Sequence, residues 1–185
     1  FGTLNEFTIA LEDGKPIVRT SGPYFDFYVL QAMAKMSSTK GALDLIRSQW
    51  GEMLRRGATT WWETFDGNWG KDELCPDSLC HAWSGAPTYF LPAEVLGVKP
   101  SMPESGVVVI QPRPGDLEWA KGRIRTHKGD VNVEWHSSQD SFRLDIDAPE
   151  GFIAALPVGA FCSPRVEEID LSPETPERRA RKTYG

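Results

Sequence analysis

No apolar run in this chain approaches the ~20 residues that a membrane-spanning helix requires, and no cluster of lysine and arginine forms a face that could follow a phosphate backbone. Net charge is -6, and the one compact basic run, ERRARK at Glu177 to Lys182, reads as a solvated end. These absences argue against nucleic acid and membrane as partners. Cysteine is scarce. The odd count of three, Cys75, Cys80 and Cys162, excludes a fully paired disulfide framework. Cys75 and Cys80 either close a small loop in CPDSLC or are both free, and a zinc set of Cys75, Cys80 and His81 lacks a fourth ligand at a usual spacing. No glycine-rich phosphate loop and no nucleophile-elbow motif is present. No signal peptide opens the chain, but it starts at Phe1 and reads as a processed or excised piece.

What is abundant is aromatic surface. Seven tryptophans and nine phenylalanines are unevenly spread over 185 residues, and the densest stretch is GATTWWETF, Gly57 to Phe65, where Glu63 follows two indoles. A carboxylate beside tryptophan faces suits a sugar site, and it also suits a half-buried strand end.

The first half of the chain carries helical patterning. Ile9 and Leu11, a turn at Asp13-Gly14 and Ile17-Val18 predict a hairpin. Pro23 then opens PYFDFYVLQAMAKM, apolar on nearly all sides, which predicts a buried helix. TKGALDLIRSQWGEMLRR has one apolar stripe (Leu43, Ile46, Trp50, Met53, Leu54), a cap at Ser37, Ser38 or Thr39, and a stop at Gly57. Together these predict an αα-hairpin with an inner and an outer member. SLCHAWSGAPTYF predicts a third helix, capped by Ser78 or Asp77 and kinked at Pro87, with Gly97 as the stop after LPAEVLG. So few helices cannot cover Tyr24 to Met36, which points to further helices or a partner chain as neighbours.

From about Val98 the pattern changes to short alternating segments: VVVIQP, DLEWAKGRI, DVNVEWH, SFRLDID and FIAALP. Turn residues separate them, so the second half predicts an antiparallel β-sandwich, with Trp119 and Trp135 filling its interior; the alternative for these two rings is a sugar platform. The class is therefore α+β in two parts: residues 1–99 helical, 100–171 a β domain, and 172–185 a disordered tail.

The segments GPYFDFYVLQAMAK, ALDLIRSQWGEMLRRGATTWWETF, SLCHAWSGAPTYFLPAEVLGVKP and IQPRPGDLEWAKGRI with VNVEWH, spread over Gly22 to Pro157, resemble the C-terminal part of α-L-rhamnosidases of glycoside hydrolase family 78. The resemblance implies that residues 1–99 are the last hairpins of a six-hairpin (α/α) barrel and that the β-sandwich follows it. It implies an inverting hydrolase acting on terminal L-rhamnose, with a rhamnose-containing saccharide as partner and no cofactor. Glu63 matches the family's general base, His81 in CHAWS a histidine lining the sugar site, and Trp62 a regular aromatic of the motif. Trp61 occupies a more variable position. Gly85-Ala86-Pro87 stands where the family often has Ala-Gly-Pro. The general acid belongs to an earlier, acid-rich motif that no stretch here matches. Two alternatives stay open: a non-catalytic carbohydrate-binding or assembly piece, and a six-hairpin glycosidase of other sugar specificity.

A general base must stay ionised beside the rings, which calls for hydrogen-bond donors; Thr59, Thr60 and His81 are the candidates. In an extended strand Trp61 and Glu63 share one face and Trp62 takes the other. Trp50 and Trp83 read as core. Asp66 and Asp72 lie in the loop after Glu63.

Overall fold

A computed structural model describes residues 8–12, 15–19, 22–65, 77–100, 107–149, 153–155 and 180–184. The chain divides into two compact units, Phe1–Phe90 and Leu91–Gly185.

The first unit opens with the expected hairpin, β1 (Thr8–Glu12) and β2 (Lys15–Arg19), in antiparallel register from Thr8↔Arg19 to Glu12↔Lys15. The turn at Asp13-Gly14 lies outside the described residues. Helix α1 (Pro23–Lys35) begins at its proline, whose fixed φ and missing N–H suit the first turn. Its buried line is Pro23, Asp26, Leu30 and Ala34, at three- and four-residue spacing. The expectation of burial on nearly all sides is corrected here: Tyr24, Phe25 and Tyr28 are exposed, because one stripe of a helix is what its packing partners in this unit cover.

Helix α2 (Thr39–Arg55) buries Leu43, Leu45, Trp50 and Met53, while Leu54 turns out to solvent. Gly57 ends it with φ 87°. The Gly57 amide bonds to the Leu54 carbonyl at 3.0 Å and the Ala58 amide to the Met53 carbonyl at 2.9 Å. That pair of bonds is a Schellman cap, which needs a left-handed residue at this point and so favours glycine. The cap turns the chain out of α2 directly into ATTWWETF.

The helix expected over Ser78 to Phe90 does not form as one piece. Residues 77–81 are non-helical, Ala82–Ser84 make a single 3₁₀ turn, and α3 spans only Ala86–Phe90. Pro87 lies in the first turn of a new short helix, where its missing N–H costs nothing, instead of kinking a longer one.

The second unit starts with a π-helical turn, Leu91–Val95, in which the Leu96 amide reaches the Leu91 carbonyl at 2.8 Å. Gly97 stops it at φ 86°. A Cβ there would lie 2.3 Å from the backbone of Gln111 and Pro112, so glycine is required by both conformation and space. Two sheets follow. One has the order β3 (Val98–Pro100), β4 (Val107–Ile110), β8 (Ile153–Ala155); the other has β5 (Trp119–Thr126), β6 (Gly129–Ser137), β7 (Phe142–Asp147), β9 (Ala180–Tyr184). All pairings are antiparallel except β4–β8, which is parallel.

The core of this unit holds Val108, Ile110, Val131, Val133, Trp135 and Leu144, each burial contributing roughly 1.5–3 kcal/mol before entropy is counted. Trp135 is 0% exposed, as its phase predicts; its indole N–H bonds to the Val95 carbonyl at 3.2 Å and its ring stacks on Phe142 with centroids 5.9 Å apart. Trp119 corrects the expectation of an interior residue: it is 60% exposed. Along β5 burial alternates strictly, and Trp119 is in phase with Lys121, Arg123 and Arg125. The stretch expected to be a disordered tail also includes a strand, β9, which pairs antiparallel with β7 from Phe142↔Tyr184 to Ile146↔Ala180. Its residues extend an open sheet edge whose backbone groups need partners.

Candidate active site

The segment that leaves the cap at Gly57 runs alongside residues 78–81. The His81 amide donates to the Trp61 carbonyl at 2.8 Å, and the Glu63 amide to the Ser78 carbonyl at 2.8 Å. Thr60 Oγ1 adds a bond to the Leu79 carbonyl. These contacts run antiparallel, and they bring two side chains 18 positions apart in sequence onto one small surface.

Glu63 and His81 meet there. His81 Nδ1 stands 3.6 Å from Glu63 Oε2, and both side chains are 30% exposed. That distance is beyond a hydrogen bond. The same Oε2 accepts the Ser78 backbone N–H at 2.9 Å. The donor to the carboxylate is thus a main-chain amide, not Thr59 or Thr60 as the sequence suggests; Thr60 is committed to Leu79. Glu63 Oε1 accepts no hydrogen bond among the described residues.

Aromatic rings wall the pair. The His81 ring lies 4.0 Å from that of Trp83, tilted by 40°, and Trp83 in turn lies 5.4 Å from Tyr24. Trp83, read from sequence as core, is 47% exposed. No periodic signal could have placed it, because it sits on an isolated 3₁₀ turn. His81 itself is in extended backbone conformation, φ -125° and ψ 112°, and caps that turn instead of projecting from a helix.

The two indoles before Glu63 divide. Trp62 is buried, 8% exposed, with the Arg56 guanidinium over its ring at 5.0 Å. Trp61 is half-buried and its Nε1 bonds to Thr88 Oγ1 at 3.3 Å. The structure thus brings Glu63, His81 and Trp83 together, and buries Trp62 beneath Arg56.

One buried side chain supports both strands of this site. Trp50 is 1% exposed; its indole N–H donates to the Ser84 carbonyl at 2.8 Å, and its ring meets Phe65 edge-on at 5.0 Å. It therefore touches the chain three residues beyond His81 and two beyond Glu63. Gly85 follows Ser84, and a Cβ on it would come within 3.2 Å of the Ala82 carbonyl oxygen and 3.8 Å of Trp61. Cys80 is a free, exposed thiol beside the site. Asp66, Asp72 and Cys75 lie outside the described residues.

Two family descriptions match this chain, in order. The bacterial α-L-rhamnosidase six-hairpin glycosidase domain matches residues 26–95, and the bacterial α-L-rhamnosidase C-terminal domain matches residues 97–160. An α-L-rhamnosidase of Alteromonas sp. (strain LOR) is 31% identical over 104 residues, 54% of this chain. One of Streptomyces avermitilis is 27% identical over 124 residues, 64% of this chain. The chain spans only 11% and 12% of these curated relatives' lengths. Among solved structures, the family 78 rhamnosidase of Bacillus sp. GL1 matches with a TM-score of 0.64 and 37% identity over 74% of this chain and 15% of its own. The Streptomyces avermitilis α-L-rhamnosidase solved with L-rhamnose matches in fold, with a TM-score of 0.63 at 24% identity, over 70% of this chain and 13% of its own.

Proposed function

We propose, from the premise that this chain belongs to the α-L-rhamnosidases of glycoside hydrolase family 78, that it carries the general-base half of an inverting rhamnosidase site, with Glu63 as the base. The observation that carries this reading is the meeting of Glu63 and His81 across a tertiary closure beside exposed rings.

In an inverting glycosidase one carboxylic acid protonates the leaving oxygen, and a second carboxylate, about 6.5–9.5 Å away, activates a water on the opposite face of the sugar. Glu63 takes the second role. The Ser78 amide fixes its carboxylate through Oε2, which leaves Oε1 to accept the water proton. The water oxygen then bonds to the anomeric carbon as the glycosidic C–O bond breaks, and the acid supplies the proton to the departing oxygen. That acid comes from a part of the six-hairpin domain with no counterpart in this chain. His81, packed against Trp83, serves as a hydrogen-bond donor to a sugar hydroxyl or to Glu63 once substrate tightens the site. Trp62 is wall rather than contact, and its buried ring sets the backbone on which Glu63 stands.

Hydrolysis of a dinitrophenyl α-L-rhamnoside, whose phenolate departs without a general acid, tests the proposal on this chain. Turnover that disappears in Glu63→Gln and returns with azide in Glu63→Ala, giving a glycosyl azide of inverted configuration, is the expected result. Binding of L-rhamnose by this chain without turnover favours the carbohydrate-binding alternative. Unchanged turnover in Glu63→Gln removes the assignment.

A further inference from the structure

The outer face of the β5-β6-β7 sheet is concave, forming a groove of about 540 Å³, within the size range of small-ligand sites. Its construction follows from strand phase. Cross-strand register places Trp119, His136 and Arg143 in one row, with all three side chains on the solvent face. The next row along the strands is Lys121, Glu134 and Asp145. Successive rows on one face are about 6.8 Å apart and neighbouring strands about 4.8 Å, so the face has the area of a short oligosaccharide.

Three features distinguish this groove from an ordinary solvated strand face. First, the charges lining it balance: Lys121, Arg123 and Arg143 against Glu134, Asp145 and Asp147. They are held in place by cross-strand and same-strand pairs, Lys121–Glu134 at 2.8 Å, His136–Glu134 at 3.0 Å and Arg143–Asp145 at 2.8 Å. The surface therefore offers fixed donors and acceptors without a net charge, which suits a neutral polyol better than a polyanion. Second, Arg143 reaches Asp145 through Nη2 while its side chain stays 43% exposed in the groove lining, so its guanidinium can donate further hydrogen bonds to a ligand oxygen. Third, Trp119 stands 60% exposed on the same sheet face, outside the groove lining but in the same cross-strand row as Arg143 and one row from Lys121. An indole face carries partial negative charge and accepts the C–H face of a sugar ring.

We propose that this face is a second saccharide-binding surface, taking a neutral oligosaccharide with one ring stacked on Trp119 and its hydroxyls bonded along the Arg143 and Lys121–Glu134 rows. It stands independently of Glu63, since every residue it uses lies on the outer face of one sheet.

Affinity electrophoresis of the full chain tests it, in gels containing neutral galactomannan, neutral arabinoxylan, or polygalacturonate as the charged comparison. The same gels are run with Glu63→Gln so that hydrolysis cannot alter the matrix. The expected result is retardation by at least one neutral glycan, weakened about tenfold in Trp119→Ala and largely restored in Trp119→Phe, with circular dichroism unchanged. No retardation by either neutral glycan overturns the proposal. So does retardation that survives Trp119→Ala, which assigns binding elsewhere, and so does retardation by polygalacturonate alone, which makes the face a charge site. Loss of turnover on an aryl rhamnoside in Glu63→Gln is read separately, so failure of either proposal leaves the other standing.

Discussion

The described residues include two glutamate–histidine pairs, and the tighter one is not the candidate active site. Glu134 and His136 stand 3.0 Å apart on β6, with Lys121 2.8 Å from the same carboxylate. Glu63 and His81 stand 3.6 Å apart. The first pair costs the fold little: residues two apart on a strand share a face automatically. The second requires the chain to leave α2 at a Schellman cap, run beside residues 78–81 and be pinned there by Trp50. The difference teaches that distance alone does not mark a site. Glu134 has both carboxylate oxygens bonded, one to Lys121 and one to His136, whereas Glu63 keeps one oxygen unpaired among the described residues, beside a histidine that packs on Trp83.

The comparison breaks most decisively on activity. Glu63→Gln is expected to lower aryl rhamnoside turnover by roughly 10²–10⁴-fold, the range for a lost general base, and by at least ~100-fold more than Glu134→Gln does under the same assay. A comparable loss in the two variants would erase the distinction. Trp50→Ala is next. Truncating a fully buried tryptophan costs about 3–5 kcal/mol, seen as a lower urea midpoint. If the ring holds both strands of the site, turnover in folded Trp50→Phe also falls, because the Ser84 carbonyl loses its donor.

His81 provides a finer measure. His81→Ala is expected to cost about 10- to 100-fold in kcat/KM, the worth of one hydrogen bond to a charged or reacting group. Loss confined to thermal stability would reduce His81 to a packing residue of the Trp83 wall.

The smallest effect is a pH dependence, and it belongs to the other pair. Hydrogen bonds from Lys121 first and His136 second hold the Glu134 carboxyl down to about 2, from an ordinary value of 4.5. A carboxyl depressed in the folded state contributes stability that is fully present above its unfolded pKa and is lost as pH falls toward the folded one. Thermal melts should therefore show this contribution fading between pH 4.5 and about 2, and the slope in that window should flatten in Lys121→Met. Because the group is on the surface, added salt should flatten it as well. An unchanged slope in Lys121→Met would mean that Glu134 is not held by its neighbours.

How much was legible differs between the two regions for a physical reason. In the β unit, alternation carries most of the answer: Val131, Val133 and Trp135 point inward as their phase requires. The exposure of Trp119 was readable by the same rule from its phase with Lys121 and Arg123, and only the habit of burying tryptophan argued otherwise. In the helical unit, Gly57 and Pro23 marked their boundaries through cap chemistry. Residues 78–90 misled, because a proline near the centre of an apolar stretch also fits the first turn of a new helix. The candidate site residues Glu63, His81 and Trp62 are singled out by the family resemblance, not by any period.

By itself the sequence determined the hairpin, the caps and the phase of the central strands, since each rests on a local backbone preference or a face that repeats along the chain. Only the tertiary structure decided that the Ser78 amide, not a threonine, holds Glu63, that His81 lies in extended backbone where it meets Glu63, and that Trp83 stands open to solvent. Those outcomes depend on which distant backbone groups satisfy one another, and no local pattern encodes that pairing.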